Sequence, residues 1–201
     1  MSRGLKIQLG KWKGKTVPVP PEEKGHSHFT SAILKKSLFS QILGLELDGV
    51  LARESSLFVD LFAGSGQMGL ESLSMGFRKA AFYEISQERF RHLLSLKNLY
   101  SERGILFRKD SFRYFYESGW EEEFETLVYF LDPPYSFWYP DPNKIFSLIQ
   151  EIRTLPHRNL ILFVQAPANL LFPENWTKDF PPREFGSNKL YRISLPPDSP
   201  A

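Results

Sequence analysis

Five short apolar runs constrain this chain more than any other feature of its sequence. They read SLFVDLF (56–62), KAAFYE (79–84), GILFRKD (104–110), LVYFLD (127–132) and NLILFVQ (159–165). A strand with one wet face alternates apolar and polar residues, whereas an unbroken apolar run is buried on both faces. Between the runs lie segments of helical period: GQMGLESLSMG (66–76), SQERFRHLLSLKNLY (86–100) and NKIFSLIQEIRTL (143–155). Strand–helix alternation of this kind predicts an α/β fold, with a mostly parallel sheet covered by helices on both sides. An earlier helix is predicted over TSAILKKSLFSQILGL (30–45), capped by Thr30 or Ser31, and Gly76 and Ser86 read as helix-ending and helix-starting residues. KIQLGKWKGKTVPVP (6–20) alternates and carries glycines, so it reads as a short hairpin. REFGSNKLYRISL (183–195) reads as a turn and an antiparallel strand at the sheet edge.

Length and composition narrow the rest. The chain has 201 residues, 42% hydrophobic and 24% charged, which suits one soluble domain with a full core. It has no cysteine, so disulfides and thiolate metal sites are excluded. MSRGLKIQLG lacks the apolar stretch of a signal peptide, and no segment is long and apolar enough for a membrane span, so a cytoplasmic protein is expected. Charge is unevenly spread. Residues 1–36 hold eight Lys or Arg against two Glu, while the remainder holds 17 against 21. A basic arm on a mildly acidic body points to a polyanion held by the arm, or to a solvated terminus.

Ligands of open α/β sheets bind at the carboxyl ends of the strands. Asp60, Glu84, Asp110 and Asp132 all fall at or near such ends, a rim of acceptors rather than a phosphate cradle. Gly64-x-Gly66-x-x-Gly69 joins the first run to a helix, and Glu84 lies 20 residues after Gly64. This satisfies the dinucleotide fingerprint, in which glycines let backbone approach a ligand and the acid takes ribose hydroxyls. The pattern alone does not separate NAD from S-adenosylmethionine, and it also serves as a plain tight turn. No Gly-Lys-Ser/Thr follows, so a P-loop is excluded.

LDPPY (131–135) carries more chemistry. An exocyclic amine of a nucleobase is a poor nucleophile, because its lone pair is delocalised into the ring. Two acceptors that hold both N–H groups favour a pyramidal nitrogen. Asp132 offers one acceptor and the Pro133 carbonyl a second. Pro133 and Pro134 fix the backbone in advance. Tyr135 offers an aromatic face for a base taken out of its stack. Hydride transfer has no comparable use for these four residues. His26 and His28 lack a third ligand at suitable spacing, so no metal site is expected. His92 and His157 read as surface positions, Phe137, Trp138 and Tyr139 as a base-facing wall or as packing, and WEEEFE (120–125) as a solvated turn.

Taken together, FVDLFAGSGQMGLESLSMGFRKAAFYEIS, LKNL, LDPPY and the tail REFGSNKLYRISL resemble the bacterial 16S ribosomal RNA guanine-N2 methyltransferase family, in order from about Lys6 to Leu195. The resemblance implies a class I methyltransferase (Rossmann-like) fold: a seven-stranded, mostly parallel sheet with an antiparallel C-terminal hairpin at its edge. It implies S-adenosylmethionine as cofactor, no metal, and a guanine N2 amine of 16S rRNA, free or in an assembling small subunit, as target; a monomer is the default expectation. By the same resemblance Asp60, Phe62, Gly64, Gly66, Glu84, Ile85, Asp110 and Ser111 would bind the cofactor. Asp132, Pro133, Pro134 and Tyr135 would hold the amine and its base. Residues 1–29 would form a basic RNA-binding extension on a catalytic domain of residues 30–201, with Lys11, Trp12, Lys13, Lys15, His28 and Lys35 as RNA contacts. Alternatives are an amino methyltransferase of another RNA, DNA or protein, and a non-catalytic relative that binds cofactor or RNA. Two departures stand out. His28-Phe29 replaces the family's Arg-Pro before Thr30, and Gln165 stands where the family tends to place Glu.

Overall fold

The structure is a computed structural model describing residues 4–20, 30–156 and 159–195. Two antiparallel strands come first, β1 (Gly4–Lys6) and β2 (Thr16–Pro18), followed by helix α1 (Ala32–Leu47). Then come β3 (Ser56–Asp60), α2 (Gln67–Met75), β4 (Lys79–Tyr83), α3 (Gln87–Ser95), α4 (Lys97–Tyr100) and β5 (Gly104–Phe107). The second half runs α5 (Trp120–Glu123), β6 (Thr126–Leu131), α6 (Asn143–Arg153), β7 (Leu160–Pro167), α7 (Glu174–Thr177), β8 (Arg183–Phe185) and β9 (Asn188–Arg192). Seven strands form one sheet in the order β5-β4-β3-β6-β7-β9-β8. The first five of these are parallel, and β9 joins β7 antiparallel before turning back to β8. This is the class I methyltransferase arrangement that the family resemblance implied, and its parallel, helix-covered part is what the strand–helix alternation predicted.

The five apolar runs are the five parallel strands, and β3, β6 and β7 are buried at every position. Their alternate residues feed two cores. Phe58, Phe82, Phe130 and Phe163 face a layer built by the β1–β2 hairpin, α1, α2, α3 and α4. Val59, Tyr83, Tyr129 and Val164 face Trp120, Trp138, Trp176 and α6. The strand order reverses between β3 and β6: β4 and β5 extend one way from β3, and β6 and β7 the other. Such a switch point leaves a crevice at the carboxyl ends of the two central strands.

Local signals are used largely as expected. Ser31 caps α1, its Oγ accepting from Leu34 N–H at 3.2 Å, which leaves the Thr30 hydroxyl for another partner. Gly76 closes α2 in the left-handed region at φ 107°, and Ser86 Oγ caps α3. Two segments differ. The single helix expected over 86–100 breaks at Leu96, and Tyr100 Oη donates to the Leu93 carbonyl across the break. WEEEFE is a one-turn helix whose Trp120 and Phe124 are buried core, with only its glutamates in solvent. Among the described residues no helix is long and apolar enough to cross a membrane.

Candidate active site

Four acidic residues reach the carboxyl rim. Asp60 ends β3, Glu84 follows β4, Asp132 follows β6, and Asp110 lies three residues past β5. Asp60, Glu84 and Asp132 share the sheet face that α1 and α2 cover, since they continue the parity of Phe58, Phe82 and Phe130. The glycine loop closes the crevice. Gly64 and Gly66 both have positive φ, 51° and 75°. A Cβ at Gly66 would fall 2.6 Å from Leu93 of α3, and one at Gly69 2.2 Å from the Phe82 ring of β4, so these two glycines serve close packing of α2 against α3 and the sheet. Gly64 is different: a Cβ there would meet only the Phe62 carbonyl, at 3.8 Å, so its backbone faces open space. Its N–H donates to Glu84 Oε2 at 3.0 Å, while Glu84 Oε1 accepts from Ser86 N–H at 2.7 Å. A carboxylate offers about four acceptor sites, enough to serve backbone donors and ligand hydroxyls together.

Asp110 Oδ1 accepts from Phe112 N–H at 3.1 Å, and buried Ser111 donates its hydroxyl to the Leu61 carbonyl, pinning the β5 loop to the end of β3. Phe62 and Phe112 meet edge to face at 5.7 Å, and Phe137 leans on Phe112 at 5.0 Å. Lys144 Nζ sits 3.9 Å from the centre of the Phe112 ring. An aromatic cluster thus spans the ends of β3, β5 and β6. Ile85 is exposed beside Glu84.

At the end of β6, Asp132 Oδ2 accepts from the Thr30 hydroxyl at 2.8 Å. Burial pushes the Asp132 carboxyl up to about 7, against the lowering effect of that hydrogen bond. Burial, and then repulsion from Asp132, raise Asp60 to about 8, although backbone hydrogen bonds from Gly69 and Phe62 oppose the rise. Two neighbouring carboxyls therefore hold protons near neutrality, as expected when acids share a desolvated site. The Pro134 carbonyl accepts from Phe137 N–H at 2.9 Å, whereas no donor among the described residues reaches the Pro133 carbonyl next to Asp132. Tyr135 is 38% exposed, and its hydroxyl donates to Asn188 Oδ1 at 2.7 Å, tethering the ring across the sheet to β9.

The structure brings Asp60, Gly64, Gly66, Glu84 and the Asp132–Tyr135 segment to one crevice, with Phe62, Asp110 and Ser111 at its β5 side. Trp138 is core at 1% exposure, and Tyr139 bonds Asn169, so of the three aromatics after LDPPY only Phe137 faces the rim cluster. Lys35 requires a correction. Its side chain is 3% exposed and pairs with fully buried Glu71 at 3.3 Å, because it packs between α1 and α2, so it does not present a surface charge to RNA. Lys11, Trp12, Lys13 and Lys15 lie at the hairpin turn. Ser74 fixes that turn, with Trp12 N–H donating to Ser74 Oγ at 2.9 Å. Ser74 is about 10 Å along α2 from the glycine loop, so these residues flank the site at a distance. Trp12 is half-buried, with the Arg103 guanidinium 5.9 Å from its ring. His28, like His26 and His157, lies outside the described residues. Two features escaped sequence reasoning. Thr30, noted as a possible cap, instead holds Asp132. His92 is half-buried, and its ring donates to the Ser65 backbone carbonyl of the glycine loop. The only hint of the first was a hydroxyl next to a better cap residue.

The fit of this crevice to S-adenosylmethionine rests on three observations: the open approach at Gly64, a buried acid at Asp60 whose charged form a cationic ligand would favour, and the Glu84 carboxylate at the next strand end. Among the described residues no cluster of acids and histidines suits a metal ion.

A sequence model of the family described as Conserved hypothetical protein 95 matches residues 5–192. The chain belongs to this family. Its relatives include the Ribosomal RNA small subunit methyltransferase D of Haemophilus influenzae, 28% identical over 179 residues, which span 86% of this chain and 85% of that protein. The family resemblance carried by the sequence motifs is thus borne out. An uncharacterized methylase of Rickettsia prowazekii is 37% identical over 82 residues, 40% of this chain and 34% of that one. Among solved structures, the Escherichia coli protein yhhF, described as a provisional methyltransferase, superposes with a TM-score of 0.68 at 20% identity, covering 96% of this chain and all of that one. A hypothetical protein of Thermus thermophilus gives 0.65 at 21% identity, covering 95% and 99%. These likenesses establish the fold for the family member described here.

Proposed function

We propose that the protein transfers a methyl group from S-adenosylmethionine to the exocyclic N2 amine of a guanine in small-subunit rRNA. The observation that carries this reading is the pair of acceptors after β6: a half-buried Asp132 oriented by Thr30, next to a Pro133 carbonyl that no described donor reaches. Family membership and the Haemophilus influenzae relative's description support the choice of rRNA.

S-adenosylmethionine, when bound, supplies an electrophilic methyl group. Asp60 and the Gly64–Gly66 backbone would hold its amino-acid end, Glu84 its ribose hydroxyls, and Asp110, Ser111, Ile85 and the Phe62–Phe112 pair its adenine end. Asp132 and the Pro133 carbonyl accept the two N–H groups of the amine and direct its lone pair along the crevice. Pro134 keeps that carbonyl in position, and Tyr135 stacks on a base flipped from its helix. Methylation leaves the amine with a surplus proton, and a carboxyl near 7 is suited to take it. The hairpin turn, with Lys11, Lys13 and Lys15, would grip phosphates of the same RNA, and Trp12 would add a stacking face. This reading carries with it a cytoplasmic, monomeric enzyme acting on 16S rRNA or an assembling subunit.

Titration, rRNA analysis and two variants test it. Calorimetric titration is expected to detect S-adenosylmethionine and S-adenosylhomocysteine and no NAD; the reverse result sinks the reading. Mass spectrometry of rRNA from cells with and without the gene is expected to differ by one N2-methylguanine. Asp132→Ala is expected to abolish transfer while sparing S-adenosylhomocysteine affinity, and Glu84→Ala to weaken that affinity about tenfold or more.

A further inference from the structure

Gln165 is 8% exposed, and its Oε1 is buried without a hydrogen-bond partner among the described residues. A buried acceptor left unpaired is costly, so such a group calls for an explanation. Its place in the sheet supplies one. β6 and β7 are parallel with Leu131 opposite Val164, so Gln165 stands next to Asp132, one strand spacing away, about 4.8 Å. Gln165 continues the parity of Ile161 and Phe163, the same α1-facing side as Asp132. On its other flank it pairs with Leu190, two residues before the end of the strand that begins at Asn188, the tether of Tyr135. The unpartnered amide therefore lies within the ring of residues assigned to the target base and belongs to no structural network.

We propose that Gln165 is a substrate-contact residue whose Oε1 accepts the N1–H of the target guanine while Asp132 accepts from its N2 amine. The inference rests on the methyltransferase reading and deepens it. On the edge of guanine, N1–H and the N2 amine are adjacent donors, and two acceptors on neighbouring strands match them. Adenine presents a bare acceptor beside its amine, so an oxygen here favours guanine.

The test compares wild type, Gln165→Met and Gln165→Glu in methyl transfer to small ribosomal subunits, with S-adenosylhomocysteine affinity and Tm measured on each. Gln165→Met removes the amide at nearly constant volume. It is expected to lower kcat/KM about ten- to a hundredfold, with cofactor affinity unchanged and Tm equal or higher, since an unpaired buried acceptor has been removed. Gln165→Glu keeps an acceptor and is expected to recover most of that loss. A purely structural role predicts the opposite sign in Tm. Wild-type rates in Gln165→Met, a fall in Tm that tracks the rate, or a Gln165→Glu as slow as Gln165→Met each overturn the proposal while leaving the methyltransferase reading intact. If wild type itself transfers no methyl group, that reading fails and takes this inference with it.

Discussion

Asp132 owes its state to two opposed influences, burial that favours the proton and the Thr30 hydroxyl that favours the charge. The amine-holding role needs the charged form. Methyl transfer is therefore expected to rise with pH through a limb near 7, and Thr30→Val should move that limb upward by removing the lowering partner. A pH–rate profile with no limb between pH 6 and 8, taken as a rough window around that value, would argue against the assignment. The same carboxyls affect stability. Asp60 and Asp132 have raised folded-state values, about 8 and about 7, so above the unfolded value of 3.8 the folded chain binds protons that the unfolded chain has released. Stability of the ligand-free protein should then fall as pH climbs from the unfolded value toward 8 and level off beyond it. A cationic ligand beside Asp60 should reverse part of this and release protons on binding, which calorimetry in buffers of different ionisation enthalpy would detect.

The elements around the site are joined by one buried acid. Glu71, inside α2, accepts the N–H groups of Gln8 at 2.8 Å and Leu9 at 3.1 Å from the hairpin, and pairs with Lys35 of α1. Burial lowers the Lys35 pKa, and Glu71 opposes that shift. Hairpin, α1 and α2 are thereby fixed together, and α1 begins two residues after Thr30. Glu71→Ala strands a buried ammonium and two N–H groups, so it is expected to cost about 3–5 kcal/mol in denaturant unfolding. Lys35→Met should cost far less than Glu71→Ala, because the remaining acid keeps two donors. Gly69→Ala is expected to destabilise by about 1–3 kcal/mol, since its Cβ would press on Phe82. Most of these elements were legible in the sequence, because apolar period, Ser caps and Gly76 are local properties. The break at Leu96 and the burial of WEEEFE were not, since a neighbouring tyrosine and the surrounding core decided them.

Across the whole molecule, charge and chemistry are divided between two places. The crevice is acidic and lies at the carboxyl ends of the strands, while the hairpin turn with its lysines lies toward the far end of α2. If the turn grips RNA phosphates, replacing Lys11, Lys13 and Lys15 by Ala should weaken binding to small-subunit rRNA across sequences. It should also flatten the salt dependence by about 0.7–0.9 in log–log slope for each phosphate no longer held, with S-adenosylhomocysteine affinity unchanged. An unaltered salt slope would remove the hairpin from the RNA interface. By itself the sequence determined the strand–helix order, the glycine loop, the acids at strand ends and the LDPPY acceptor pair, because each is written in residues close together along the chain. Only the tertiary structure decided that Thr30 holds Asp132, that Lys35 is spent on Glu71 rather than RNA, and that Gln165 stands unpaired beside Asp132. Those pairings join residues about 30 to 100 positions apart, and burial and sheet register, which no local pattern encodes, select them.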